Sequence, residues 1–142
     1  MTRLADAVEA ARIAATAPPR VSNARDLVLE ILRAAAEDDH VRDNLKDVSK
    51  GRALLRFTDT DQAIEFSAGD GALSAEAADP KGKGPKVDAT SATWLGLTSG
   101  TLKPWLAFTR GMVVARAGLT ELRWLQQVAE RLQRAYKEER PA

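Results

Sequence analysis

Cysteine is absent from this chain of 142 residues, which excludes a disulfide framework and a thiolate metal site and makes a reducing, cytoplasmic setting the expectation. Histidine is limited to His40. That residue stands at a helix boundary, with no second histidine and no nucleophile beside it in sequence, so it offers neither a metal pair nor a nucleophile and base relay. An excess of charge of one sign is missing as well. The 21 basic and 20 acidic side chains leave a net +1, too little for a general attraction to nucleic acid or to an anionic membrane. No apolar run is long enough to span a bilayer. The first residues, MTRLADAVEAARIAATAPP, set Asp6, Glu9 and Arg12 among alanines, a pattern without the continuous apolar segment of a signal peptide.

What is present is apolar material, 44% of the residues, sufficient for one domain with a single core. Ala17-Pro18-Pro19-Arg20 divides the chain. Residues 2–16 are helix-prone and weakly amphipathic, and the paired prolines end their pattern. Residues 1–20 therefore read as a helical appendage and 21–142 as the domain. A helix capped by Ser22 or Asn23 carries Leu27, Leu29, Ile31 and Leu32. A shorter one follows from His40 to Ser49, stopping at Gly51. Strand patterns then cover 52–58, 62–68 and 71–77, with Ile64 and Phe66 alternating against Glu65 and Ser67. Asp59-Thr60-Asp61 and Gly69-Asp70-Gly71 are hairpin turns, so these neighbours are expected antiparallel. After the loop DPKGKGPK come a strand over 87–90, a helix capped by Ser91 and stopped at Gly100, a helix over 102–108, a strand over 112–117 and a closing helix over 118–139. The last has Leu119, Leu122, Leu125, Ala129, Leu132 and Tyr136 in one stripe.

Chemical groupings are sparse. Glu37, Asp38, Asp39, Asp43 and Asp47 lie on a helical surface without the loop spacing of a calcium site, so a solvated face outweighs a metal cluster. Lys81-Gly82-Lys83-Gly84-Pro85-Lys86 offers free amides and three ammoniums, yet it lacks the Gly-Lys-Ser/Thr ending of a nucleotide loop and precedes a strand instead of a helix. A flexible connection is the simpler reading, and no cofactor is implied. The aromatics are better placed. Trp94, Trp105, Phe108 and Trp124 fall in the C-terminal half, opposite strands with small residues at Ala75, Ala77 and Ala89. Core packing alone accounts for such aromatics equally well; what favours a cavity is their pairing with small strand residues, which leave room that a close-packed interior would fill.

The stretch GTLKPWLAFTRGMVVARAG carries Gly100, Leu102, Pro104, Ala107, Phe108, Gly111 and Gly118 at spacings that resemble the sterol carrier protein type 2 family. The order of elements from about Ala24 to Leu125 is similar too. The resemblance implies an α+β fold in which a five-stranded, mostly antiparallel sheet covered by helices encloses an apolar tunnel. It also implies a wall formed by Phe57, Phe66, Leu73, Ala75, Trp94, Leu97, Leu102, Trp105, Phe108 and Val113. Two departures stand out. Met112, Val113, Val114 and Ala115 make the fifth strand apolar on both faces, so its outer face is expected to be covered by the N-terminal helix, the closing helix or a second subunit. Past Gly118 the chain reads Leu119-Thr120-Glu121-Leu122-Arg123-Trp124, where the family continues with an acidic residue and small apolar ones.

These features point to a non-catalytic protein that holds lipids such as fatty acids, acyl thioesters, sterol-like or isoprenoid molecules. The alternative is an accessory module presenting a lipophilic intermediate, such as a quinone precursor, to an enzyme complex. An acyl-processing enzyme is disfavoured because no nucleophile and base constellation is present. The partners expected are an apolar small molecule and no nucleic acid, with a homodimer and a transient membrane contact left open. The closing helix reads first as permanently packed, and second as a tunnel cover whose outer Arg123, Arg131, Arg134 and Lys137 would make that membrane contact.

Overall fold

Alternating strands and two amphipathic helices assemble the core in the computed structural model, which describes residues 4, 6–9, 24–116 and 118–139. From residue 24 onward the elements are α1 (Ala24–Ala36), α2 (Asp39–Asn44), β1 (Gly51–Phe57), β2 (Gln62–Gly69), β3 (Ala72–Ala78), β4 (Lys86–Ala89), α3 (Ser91–Ser99), α4 (Pro104–Thr109), β5 (Val114–Ala115) and α5 (Leu119–Glu139). The sheet order is β3-β2-β1-β4-β5. β1 and β4 pair in parallel, and the other three pairs are antiparallel. The expected class, α+β with a mostly antiparallel five-stranded sheet covered by helices, is the class observed. The expected caps at Ser22 and Asn23 and the break at Pro18-Pro19 lie outside the described residues.

One face of the sheet is apolar because strand residues alternate. Leu55 and Phe57 on β1, Ile64 and Phe66 on β2, and Leu73 and Ala75 on β3 are buried, in registers that set Leu55 opposite Ile64 and Phe66 opposite Ala75. α1 packs on β3 and α3, while α5 packs on α2 and α3. α5 contributes Leu125, Val128, Leu132 and Ala135 to the core, the spacing of one helical stripe. Trp124 flanks the stripe. Its ring lies 5.9 Å from that of Phe66, its Nε1 donates to the Ser49 carbonyl at 3.0 Å, and a Cβ on Gly51 would come within 2.6 Å of it. Leu4, Ala7 and Val8 belong to the same buried cluster.

Three local expectations are corrected. α2 ends at Asn44 instead of Ser49, because the carbonyls of Leu45 and Val48 accept the amides of Gly71 and Asp70 from the β2–β3 turn. Its N-cap is Asp38, which accepts from the Val41 amide at 3.1 Å. α3 is capped by Thr90, not Ser91. The Thr90 hydroxyl accepts from the Thr93 amide, and Ser91 instead donates its amide and hydroxyl to one Asp59 oxygen at 2.9 and 2.8 Å. β5 spans two residues where six were expected, since the Met112 amide bonds the Ala107 carbonyl at the end of α4 and never reaches the sheet.

The other sheet face is polar and held by ion pairs. Asp88 on β4, with 9% of its side chain exposed, receives Arg56 Nε at 2.5 Å and Arg116 Nε at 3.0 Å. The Arg56 hydrogen bonds hold the Asp88 carboxyl below the usual carboxylate range, with burial opposing and Arg116 assisting. Because its folded pKa is depressed, the stabilisation is fully present above the unfolded value and is lost as pH falls through the folded one. Asp88→Asn is expected to lower stability at neutral pH by about 1–3 kcal/mol, and the deficit should shrink below about pH 4. Urea unfolding of both proteins across that range measures it.

Candidate functional site

Inward-facing residues from five directions meet at an apolar cavity between the sheet and its helical cover. α1 supplies Leu32; β1 and β2 supply Leu55 and Phe66; α3 supplies Trp94, Leu97 and Thr98. α4 supplies Phe108, and α5 closes the wall with Leu125, Val128, Ala129 and Leu132. Thr98 is the polar member, and its hydroxyl donates to the Trp94 carbonyl at 2.7 Å. The indole Nε1 of Trp94 donates to the Arg56 carbonyl at 2.9 Å, leaving no lining donor unpaired on that ring. The free volume is about 30 Å³, room for roughly one water molecule. A site of several hundred Å³, as drug-sized ligands occupy, would need the walls to part.

Of the wall residues expected from the sequence, the structure brings Phe66, Trp94, Leu97 and Phe108 to this cavity. Phe57 is buried beside Trp94, with ring centroids 6.2 Å apart. Leu73, Ala75 and Val113 are buried elsewhere in the core. Ala75 sits on β3, the strand against which α1 packs, so its small size lets the helix lie close to the sheet. Leu102 is half-buried at the turn after α3 and packs against Gly96, whose Cβ would come within 2.8 Å of it. Trp105 is 53% exposed and turned to solvent. Leu32, Leu55, Val128 and Ala129 were legible only as generic apolar positions. Their spacing marked a buried face, and nothing in the sequence told core from cavity.

The wall is tied unevenly. Gln133 on α5 donates Nε2 to the carbonyls of Leu97 and Leu102 at 3.0 and 2.9 Å, pinning the turn between α3 and α4. α4 itself buries only Pro104 and Ala107 and is bracketed by Gly100 and Gly111, at φ 84 and 70, a left-handed conformation that glycine adopts without strain. Gln133→Ala is expected to cost about 1–2 kcal/mol and to speed amide exchange at Gly100, Leu102 and Leu106. Hydrogen exchange read by mass spectrometry or NMR tests it, and unchanged rates there would reject the tie.

The remaining chemical groupings resolve as structure. Asp39 pairs with Arg42, Asp43 with Lys46 at 3.0 Å, and Asp47 with Arg131 at 2.9 Å. Arg131 is thus turned to the α2–β1 connection, whereas Arg123, Arg134 and Lys137 remain exposed. The lysine-rich loop folds back on itself through Asp79, whose side chain and carbonyl accept the amides of Lys81 and Gly82, and the Pro85 carbonyl accepts the Leu54 amide. A larger, open recess of about 600 Å³ lies on the polar sheet face beside Arg52, Glu65, Ser67 and Ser74. Those side chains satisfy one another, by the Arg52 and Glu65 ion pair and the Ser67 and Ser74 hydrogen bond. Among the described residues no three of His, Asp or Glu converge as a metal site, and no helix is long and apolar enough to cross a membrane.

No family model matches the chain, and no curated protein matches it in sequence. Solved structures match in shape. A conserved hypothetical protein of Thermus thermophilus, described as a possible sterol carrier protein, shares 22% identity over 75% of this chain and 81% of its own, with a TM-score of 0.54. Sterol carrier protein 2 shares 20% over 82% of this chain and 93% of its own, also at 0.54. The UbiJ-SCP2 ubiquinone synthesis protein shares 11% over 81% and 91%, at 0.50. The chain has the sterol carrier protein 2 fold.

Proposed function

From that fold and its apolar cavity we propose that the protein is a non-catalytic carrier, which binds one single-chain lipid between the sheet and α3, α4 and α5. The observation that carries the reading is the lining itself, apolar throughout except for a Thr98 hydroxyl already donated to the Trp94 carbonyl. Such a wall offers an apolar chain contact and offers a reaction no nucleophile or base. Entry proceeds by movement of α4, the wall with the fewest buried side chains. The ligand replaces packed side chains with its own methylenes, so opening loses packing and exposes little surface to water. A chain of about sixteen carbons contributes on the order of 12 kcal/mol gross at about 0.8 kcal/mol per methylene. That leaves micromolar affinity or better after ordering costs. Mass spectrometry of organic extracts from protein purified without detergent should recover a single-chain lipid at near-stoichiometric yield. An extract free of lipid from a source rich in it would reject the reading.

On this reading the ligand site falls within residues 21–142, which a cavity lining that runs from Leu32 to Leu132 supports. Residues 1–20 act as a stabilising appendage through Leu4, Ala7 and Val8. Protein beginning at Val21 should melt at lower temperature, having lost about 2–3 kcal/mol of burial at Leu4 alone, while its lipid affinity stays unchanged. Lost affinity in a folded truncation would place the appendage at the site.

A second reading is supported by the likeness to the UbiJ-SCP2 ubiquinone synthesis protein. Here the cavity would hold a lipophilic intermediate, such as a quinone precursor, for an enzyme complex. Recovery of a stable enzyme partner together with a prenylated ring compound would favour it over free carriage of fatty acids.

A further inference from the structure

The fifth strand was expected to need cover on its outer face, and among the described residues that face is left partly open. Val113 is buried while Met112 and Val114, its neighbours on the opposite face, are 38% and 46% exposed. With Trp105 they make up all the large exposed apolar side chains found in the described residues, and all three fall within residues 105–114, Trp105 in α4, Met112 in the connection and Val114 in β5. The hydrogen bond from the Met112 amide to the Ala107 carbonyl folds that segment together. Its charge is one-sided. No aspartate or glutamate occurs between Asp88 and Glu121, in a chain with 20 of them, while Lys103, Arg110 and Arg116 lie in that interval. Lys103 and Arg110 are exposed on either side of Trp105, and Arg116 is exposed while bonded to Asp88.

We propose that this surface, Trp105, Met112 and Val114 with the exposed Lys103 and Arg110 at the two ends of α4, docks on an anionic lipid bilayer. An exposed indole with exposed aliphatic side chains and an ammonium and a guanidinium group a few residues away in the chain suits the boundary between headgroups and acyl chains. The nearest carboxylate on the sheet, Asp88 opposite Val114, is already paired with Arg56 and Arg116, so the cations at Lys103 and Arg110 complement phosphatidylserine or phosphatidylglycerol headgroups. A second copy of the chain fits less well. A standard protein interface buries roughly 800 Å² per partner, beyond what three partly exposed side chains supply, and a strand of two residues presents too short an edge for pairing. The inference rests on the exposed surface and not on the carrier reading. It places the docking segment on α4, whose Phe108 also borders the cavity.

Flotation with vesicles of phosphatidylcholine, with and without phosphatidylserine, tests it in the absence of any single-chain lipid. Its failure would therefore leave the carrier reading standing, and the converse also holds. Binding should require phosphatidylserine and weaken with added salt. Trp105→Ala should weaken it at least about fivefold, and Lys103→Glu with Arg110→Glu at least about tenfold, at roughly fivefold per cation near an anionic surface. Arg134→Glu, on the exposed side of α5, should change it less than about twofold. All four side chains are exposed, and melting curves confirm that the variants fold. The proposal is overturned if the wild-type protein does not float with anionic vesicles, or if Trp105→Ala and the double charge reversal bind as well as wild type. It is equally overturned if those variants abolish a concentration-dependent dimer with no vesicle binding, which would assign the surface to a second copy.

Discussion

Replacing Trp94 with alanine is expected to destabilise the protein by about 3–5 kcal/mol, a large share of the about 5–15 kcal/mol of an ordinary domain. The side chain is 2% exposed, its ring packs on Phe57, and its Nε1 satisfies the Arg56 carbonyl on β1. Truncation removes the apolar contacts, enlarges the cavity and takes the indole donor from that carbonyl together. Trp94→Phe separates the contributions. It retains most of the packing and loses the donor, for an expected loss of about 1–3 kcal/mol. Urea denaturation of the two variants checks both values, and a loss below about 1 kcal/mol for Trp94→Ala would show that α3 does not depend on this anchor.

Ala129→Phe should weaken lipid binding at least about tenfold while leaving a cooperative fold. Ala129 lies on the α5 stripe at the cavity wall, and the free space of about 30 Å³ cannot take a benzyl group without movement of a wall. The movement available is the one the ligand would use, so ring and ligand compete. Overpacking of this kind costs about 1–3 kcal/mol, tolerable for a domain of this size, and the apparent Kd should rise at least about tenfold. Titration with a fluorescent fatty acid, beside a melting curve of the same sample, gives both readouts. Undiminished affinity in the folded variant would place the ligand elsewhere.

The fold was largely legible because its signals are local. Alternation placed β1, β2 and β3 within a residue or two, turn residues at 59–61 and 69–71 fixed the hairpins, and the apolar period placed α1 and α5. What escaped the sequence depended on distant partners. Nothing near residues 45–48 announces that their carbonyls bond the β2–β3 turn, and the choice of Thr90 over Ser91 as cap turns on Asp59, some thirty residues away on the β1–β2 turn. The length of β5 was set by α4 capturing the Met112 amide. At the site, aromatic residues were visible and aliphatic ones were not. Trp94 and Phe108 drew attention by size, whereas Val128 and Ala129 are indistinguishable from core until the helices are docked. Size misled at Trp105, since an exposed indole and a buried one look alike in a string of letters.

The claim that the space beneath α3, α4 and α5 opens to one apolar chain is tested most directly by titrating delipidated, folded protein with a fluorescent single-chain fatty acid. The account expects saturation at one ligand per chain with a Kd in the micromolar range or tighter, and tryptophan energy transfer that falls in Trp94→Phe, with Trp124 beside Phe66 supplying part of the remainder. A folded sample that shows no saturable binding would contradict it.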